Sequence, residues 1–241
     1  MESMINLKDL LTHEILDLYS AEKQIIEALP EMIENAYSVQ LKNALLDHLE
    51  VTKTHKERLE KVYEKLTENK EEAESLTEDK GFFSRLFGGV TEPKCKGTEG
   101  LIKEGKKIMD EDMTSEVRDA AIIAATQKIE HYEISGYGTA LAYARQLSLE
   151  FVATLLEETL NEEYEADDLL TELAVGQLNI DAENAVENYN IHGTGIYQQN
   201  AKAATEGSSL FADDVDNASA RVADASVFAD NRTNSINNND L

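Results

Sequence analysis

Apolar residues recur every three or four positions over long stretches of the chain, and this spacing is its strongest constraint on fold. Residues at such spacing share one face of an α-helix, so each stretch predicts an amphipathic helix. Only two prolines interrupt the 241 residues. The sequence therefore predicts an all-α protein of four long helices and one short one. The predicted helices span residues 5–36, 38–68, 98–112, 114–148 and 149–174, with the last closing near Gly176.

A long polar connection separates the second predicted helix from the third. It covers residues 67–97 and is broken by Gly and Pro. Long helices joined by such a crossover are typical of a four-helix bundle. The apolar stretch FFSRLF, residues 82–87, lies inside this connection. We interpret it as a segment that docks on the bundle or on a partner.

The composition changes after Gly176. Residues 176–241 are acidic, rich in Asn, Ala, Asp and Ser, and show no sustained apolar period. Such a segment buries too little apolar surface to offset the entropy of ordering it. The sequence therefore predicts a helical body over residues 1–175 and a mostly disordered tail over 176–241. The tail is a candidate binding segment for an unknown protein.

The formal net charge of −26 limits the classes of partner. Nucleic acids and anionic membrane surfaces carry the same sign of charge and would repel the chain, whereas cations would be attracted. The single cysteine allows no internal disulfide, and no apolar run approaches the roughly 18 residues of a membrane-spanning helix. We expect a cytoplasmic protein that binds neither nucleic acid nor membrane.

Ionisable residues interrupt the apolar stripes near the middle of the long helices. Glu22 shares the apolar face of the first helix, and His48 that of the second, with His55 two turns further along. The fourth predicted helix carries Glu130 on its apolar face and Glu133 at the edge, within the stretch KIEHYEISGYG. Burial of an unpaired charge at such a position costs on the order of several kcal/mol. Acidic side chains on these faces therefore need a positively charged partner.

The fifth predicted helix offers two adjacent carboxylates, Glu162 and Glu163. Each continues a plausible apolar stripe, so the periodicity does not choose between them. Four helices thus each place a carboxylate or an imidazole on a buried face. In helical bundles such side chains build metal sites, and this set of donors suits iron, manganese or zinc. Two divalent ions would neutralise the buried acids.

Several stretches resemble a known family. They are LYSAEKQIIEALP, HLEVTKTHKERLE, KCKGTEGLIKEG, VRDAAIIAATQKIEHYEISGYGTA and LEETLNEEYEADDLLTELA, and the resemblance covers about residues 4–175. They are similar to the YciF/YciE type, a bacterial ferritin-like family. The resemblance implies a ferritin-like bundle, homodimers, an association with stress responses and a rubrerythrin-like site for two metal ions, of which iron is the first expectation.

Carried over residue by residue, the resemblance implies a fixed set of metal ligands. They are Glu22, His48, Glu130, Glu133 and the pair Glu162 and Glu163. The family pattern on the second helix also has a Glu where this chain has Val51. Glu50, one residue earlier, would point about 100° away from the site. His55 is then a possible second ligand from this helix.

Two functional hypotheses follow. The first is a dimetal oxidoreductase or peroxide-scavenging protein that acts in oxidative or general stress. The second is a non-catalytic structural or partner-binding bundle dimer with a degenerate or single-metal site. A bundle whose acidic residues are all solvated is a further alternative, for which Glu130→Ala would be harmless. Cage-type iron storage is the weakest, because nothing in the sequence indicates a shell.

Overall fold

The computed structural model describes residues 4–67 and 94–192, and helices account for nearly all of them. Within these residues there are six α-helices and no strand, which confirms the all-α prediction. The helices are α1 (Leu7–Asn35), α2 (Val39–Thr67), α3 (Lys96–Met109), α4 (Ser115–Gln146), α5 (Glu150–Leu173) and α6 (Asn179–His192), and a π-helical segment, Ala174–Leu178, joins α5 to α6.

The four long helices α1, α2, α4 and α5 form the bundle. Short connections over residues 36–38 and 147–149 join α1 to α2 and α4 to α5 as antiparallel neighbours. Since α1 also packs on α4, and α2 on α5, the order around the bundle is α1, α2, α5, α4. The chain therefore passes from α2 to the diagonally placed α4, as the predicted crossover requires. The short α3 packs against α4 and α1.

The interior has an apolar cluster at each end and a polar layer between them. The first cluster includes Ile25, Leu29, Met32, Leu41, Leu45, Ile122, Ile129 and Leu170. The second includes Leu11, Ile15, Leu18, Leu59, Val62, Tyr137, Ala144 and Leu156. Each long helix contributes to both clusters and carries buried polar residues between its two contributions. Burial of the clusters drives folding and encloses the polar layer.

Side chains satisfy the free N–H groups at the starts of two bundle helices. The hydroxyl of Thr114 accepts from the backbone N–H of Val117 at the start of α4, a typical contact at a helix N-terminus. Before α2, the carboxylate of Asp119 accepts from the backbone N–H groups of Tyr37 at 2.6 Å and Ser38 at 2.8 Å. Asp119 thereby fixes the α1–α2 turn against α4.

The predicted fifth helix ends where α5 does, within a few residues, but helical structure continues beyond Gly176 in the π-helical segment and α6. Ala174, Leu178 and Ala185 are buried, and their spacings of four and seven continue the helical period of α5. Gly176 lies within the π-helical segment. The division into a body of 1–175 and a tail of 176–241 stays a prediction. Residues 193–241 and the FFSRLF segment at 82–87 lie outside the described residues.

Within the described ranges, no helix combines the length and the apolar character needed to cross a membrane.

Candidate metal centre

The polar layer in the middle of the bundle contains six buried ionisable side chains, drawn from all four long helices. Glu22 comes from α1, the two imidazoles of His48 and His55 from α2, Glu130 and Glu133 from α4, and Glu163 from α5. His48 is the most exposed of the six, at 9%, and the others are at most 1% exposed. Five of the six ligands expected from the resemblance are thus brought into one layer, and His55 joins them.

Two groups of three ligand atoms share Glu163. Glu22, His55 and Glu163 form one group, and His48, Glu130 and Glu163 form the other, with the atoms of each group within 4.8 Å of one another. In the first group, His55 Nδ1 lies 3.0 Å from Glu163 Oε1 and 3.5 Å from Glu22 Oε1. In the second, His48 Nε2 lies 3.2 Å from Glu130 Oε1. Glu163 is therefore the natural bridge between two neighbouring positions.

The ligand atoms of this layer are largely without hydrogen bonds although they are fully buried. They are Glu22 Oε2, His48 Nε2, His55 Nδ1, Glu130 Oε1 and Oε2, Glu133 Oε1, and Glu163 Oε1 and Oε2. The close contacts of His48 Nε2 and His55 Nδ1 with carboxylate oxygens do not have hydrogen-bonding geometry. Native proteins rarely leave buried polar atoms without partners. Buried carboxylate and imidazole atoms that converge without hydrogen bonds can offer their lone pairs to a divalent metal ion, so these residues fit a metal centre.

Burial makes three carboxyl groups of this layer reluctant to ionise. Desolvation raises the pKa of Glu163 and of Glu22, although His55 opposes the shift in each case. It raises the pKa of Glu133 well above the ordinary value, and the charges of Glu22, Glu163 and Glu130 raise it further. Four neighbouring carboxylates in one dry layer repel each other, so their ionised forms need positive charge beside them.

The two imidazoles supply part of that charge when no metal is bound. Burial lowers the pKa of His48, but the neighbouring Glu130 carboxylate outweighs it and brings the pKa to about 9. Burial opposes the shift at His55 too, yet contacts with Glu163 and Glu22 raise its pKa to about 11. A metal ion that takes up these nitrogens must displace their protons.

Glu133 lies in the layer but belongs to neither group of three. It is almost completely buried, rather than at the edge of the apolar face as the periodicity indicated. Its Oε1 atom has no hydrogen-bond partner. A shift of this side chain toward either position would add it to the ligand set.

Glu162 points away from the layer, which separates it from Glu163. Its side chain is 34% exposed and receives two hydrogen bonds from the guanidinium of Arg58, one of them at 2.9 Å from Nη2 to Oε1. Its Oε2 lies 2.9 Å from Nε2 of His55. The structure thus places Glu162 against the outer nitrogen of His55, Nε2, and Glu163 against its inner nitrogen, Nδ1.

Two further ionisable residues, one on α4 and one on α2, turn outward. His131 is 68% exposed and contacts Asp167 at 3.2 Å through Nε2. Glu50 is 71% exposed and forms an ion pair with Lys53 at 2.6 Å, so it does not replace the carboxylate missing at Val51. Neither residue faces the polar layer.

Two residues outside the expected ligand set support the layer, and sequence reasoning missed one of them, Arg58. The hydroxyl of Tyr137 donates a short hydrogen bond to Glu22 Oε1, and its ring packs edge-on to His55. Arg58 holds Glu162. The sequence spacing places each residue on the same helix face as a residue of the layer, since Tyr137 follows Glu133 by four residues and Arg58 follows His55 by three. Their partners on other helices are not visible in one sequence.

Cys95 has a structural environment at the start of α3. Its backbone N–H donates to the Ser20 hydroxyl at 2.9 Å, and its thiol donates to Asp17 at 3.1 Å. The Tyr132 hydroxyl donates to the same Asp17 oxygen at 2.7 Å. These contacts attach α3 to α1 and α4.

Comparison with known proteins identifies relatives for most of the chain. A family model described as a domain of unknown function, DUF892, matches residues 6–79 and 80–183. Protein YciF of Escherichia coli K12 is 38% identical over 182 residues, which cover 76% of this chain and 98% of the relative.

Two solved structures share the fold. The crystal structure of the E. coli stress protein YciF matches with a TM-score of 0.61 at 38% identity, and the match covers 73% of this chain and 99% of the other. YcfI from Rhodopseudomonas palustris, described as a candidate structural protein, matches with a TM-score of 0.59 at 36% identity. That match covers 70% of this chain and 96% of the other.

Proposed function

The chain belongs to the DUF892 family of YciF-like proteins, and on that basis we propose that it is a ferritin-like protein that binds two divalent metal ions. Glu22, His55 and Glu163 would hold one ion, and His48, Glu130 and Glu163 the other. Glu133 lies within reach as a further ligand. The observation that carries the proposal is the set of buried ligand atoms without hydrogen-bond partners.

Charge balance supports two ions rather than one. Four buried carboxylates and two neutral imidazoles carry a charge of about −4 when all are ready to bind, and two dications offset it. Without metal, the carboxylates of this layer repel one another unless protons are bound there. Two apolar clusters, one on each side, keep the layer dry and strengthen its electrostatic interactions.

Iron is the proposed metal, with manganese and zinc as alternatives that the same oxygen-rich donors with two imidazoles accept. Bound iron would supply the redox capacity to reduce peroxide or dioxygen. The role of the chain's own residues would be to bridge the ions through Glu163, to orient Glu22 through Tyr137 and to exclude water. We further propose a homodimeric, cytoplasmic protein that acts in a stress response, the setting named for the E. coli relative.

Elemental analysis tests the proposal directly. The full chain is expressed with iron, manganese and zinc supplied together, beside Glu130→Ala and the matched exposed control Glu50→Ala. We expect about two metal ions per chain in the wild type and in the control, and a clear loss in Glu130→Ala. A wild-type chain without bound metal would overturn the proposal.

A second candidate function is a non-catalytic structural or partner-binding bundle with a single metal ion. Val51, which stands where the resemblance expects a Glu, and the description of the R. palustris relative as a candidate structural protein favour it. One metal ion per chain, and iron whose absorption spectrum does not change when peroxide is added, would support this candidate over the first.

A further inference from the structure

A chain of three side chains leads from the bundle surface to the candidate centre. Arg58 on α2 holds both carboxylate oxygens of Glu162 on α5, and Glu162 in turn contacts His55. Arg58 Nη1 also donates to the Thr159 hydroxyl at 3.3 Å. The Arg58 side chain is only 16% exposed, so its orientation is fixed by packing as well as by these bonds.

The ring of His55 is divided between two environments. Its Nε2 faces outward, 2.9 Å from Glu162 Oε2. Its Nδ1 faces inward, 3.0 Å from Glu163 Oε1 and 3.5 Å from Glu22 Oε1. The ring itself is completely buried.

On the premise of the proposed metal centre, we propose that Glu162, held by Arg58, is a positioning residue for His55. Glu162 accepts a hydrogen bond from Nε2–H and so leaves Nδ1 as the nitrogen that binds metal. In metal-binding histidines the acceptor on the far nitrogen determines which nitrogen keeps the proton and how the ring is oriented.

The guanidinium of Arg58 makes this acceptor rigid. A planar fork that bonds both oxygens of a carboxylate restricts its rotation, which a lysine ammonium does not do. Glu162 is one-third exposed and would otherwise turn into solvent. Arg58 also lies 3.6 Å from Glu158 through Nε, and Glu158 does not contact His55. Glu158 is therefore a matched control on the same helix.

The adjacent residues Glu162 and Glu163 then have separate tasks. Successive residues of a helix point about 100° apart, so a single turn of α5 offers an inner ligand and an outer acceptor. His55 lies between them. This assignment replaces the expectation, carried over from the resemblance, that Glu162 is itself a ligand.

Zinc binding by the full-length chain tests the assignment. Zinc affinity is measured by competition with a chromogenic chelator for the wild type, Glu162→Ala, Glu162→Gln, Arg58→Lys and the control Glu158→Ala. Chains labelled with ¹⁵N-histidine show which His55 nitrogen is protonated in the zinc-loaded state. Circular dichroism establishes that each variant is folded.

We expect zinc affinity to fall about 10–100-fold in Glu162→Ala, the range for residues that orient metal ligands. Glu162→Gln keeps a carbonyl oxygen for Nε2–H and should recover most of the affinity, while Glu158→Ala should match the wild type. In the wild type the ¹⁵N spectrum should show a protonated Nε2 and a metal-bound Nδ1 for His55. The Nε2 proton should exchange faster with solvent in Glu162→Ala and in Arg58→Lys.

Two results would overturn the assignment. One is a Glu162→Ala chain with wild-type affinity and an unchanged His55 spectrum. The other, which remains decisive if Glu162→Ala does not fold, is an Arg58→Lys chain with the wild-type exchange rate at Nε2. A wild-type chain that binds no zinc, iron or manganese would instead overturn the proposed metal centre, so the two failures are distinguishable.

Discussion

Replacement of Glu133 by leucine should stabilise the metal-free protein while it weakens metal binding. Glu133 is almost completely buried, and its Oε1 atom has no hydrogen-bond partner. Burial and the charges of three neighbouring carboxylates raise its pKa well above the ordinary value. Leucine is of similar size and has no polar atom to desolvate, so the substitution removes an unfavourable interaction without opening a large cavity.

The magnitude follows from the cost of the orphaned group. A buried polar atom without a partner costs about 1–3 kcal/mol, and exchange of buried ionic groups for apolar ones of similar volume is neutral or stabilises by about 1–4 kcal/mol. We therefore expect Glu133→Leu to raise the free energy of unfolding by about 1–3 kcal/mol in EDTA. Metal at 100 times its dissociation constant adds about 2.7 kcal/mol to the wild type.

The assay is urea denaturation followed by circular dichroism, in EDTA and with saturating metal. The variant should be the more stable protein in EDTA, and metal should stabilise it much less than it stabilises the wild type. Glu50→Leu is the exposed control and should not change the urea midpoint, either in EDTA or with saturating metal. A Glu133→Leu chain that is less stable than the wild type in EDTA would refute the argument that this layer is costly without metal.

Three further predictions concern pH and two buried hydrogen-bonding groups. Burial lowers the pKa of both buried imidazoles, but neighbouring carboxylates raise it more strongly. The resulting pKa is about 9 for His48 and about 11 for His55. Since a raised pKa stabilises the fold at low pH, the free energy of unfolding in EDTA should fall as pH rises from 6.5 through these values, measured by urea titrations at a series of pH values. Ser20→Ala leaves the buried N–H of Cys95 without its acceptor and should cost about 1–3 kcal/mol in the same denaturation assay, whereas Thr154→Ala, an exposed control, should have little effect. Asp119→Ala removes two hydrogen bonds to the turn before α2, and its thermal unfolding midpoint should fall by several degrees, since about 1 kcal/mol shifts the midpoint of a domain of this size by roughly 2–4 °C.

The fold could be predicted from the sequence because the apolar periodicity of each helix depends only on neighbouring residues in the chain. The apolar spacing predicted the starts and ends of α1, α2, α4 and α5 to within a few residues. The same signal failed beyond Gly176, where only Leu178 and Ala185 continue the buried face among the described side chains. Two apolar positions in a stretch otherwise rich in polar residues are too few for a periodic pattern to stand out.

The candidate site was accessible only in part, because side-chain partners on different helices are non-local. Periodicity placed Glu22, His48 and Glu130 on buried faces, and the structure agrees. It left Glu162 and Glu163 undecided. The two differ by which of them Arg58 reaches, and this contact depends on the register between α2 and α5.

The presence of Val51 in place of the Glu that the resemblance implies has a smaller consequence for the candidate site than the sequence suggested. Loss of a carboxylate from the second helix would leave one metal position without a ligand from that helix, if His48 were its only other donor. Instead, α2 places an imidazole in each group of three, His48 in one and His55 in the other. These residues are seven apart, two turns on the same face of a helix, and Glu163 lies between them. Each position thus has one imidazole, one carboxylate of its own and the shared carboxylate, which favours two occupied positions over one.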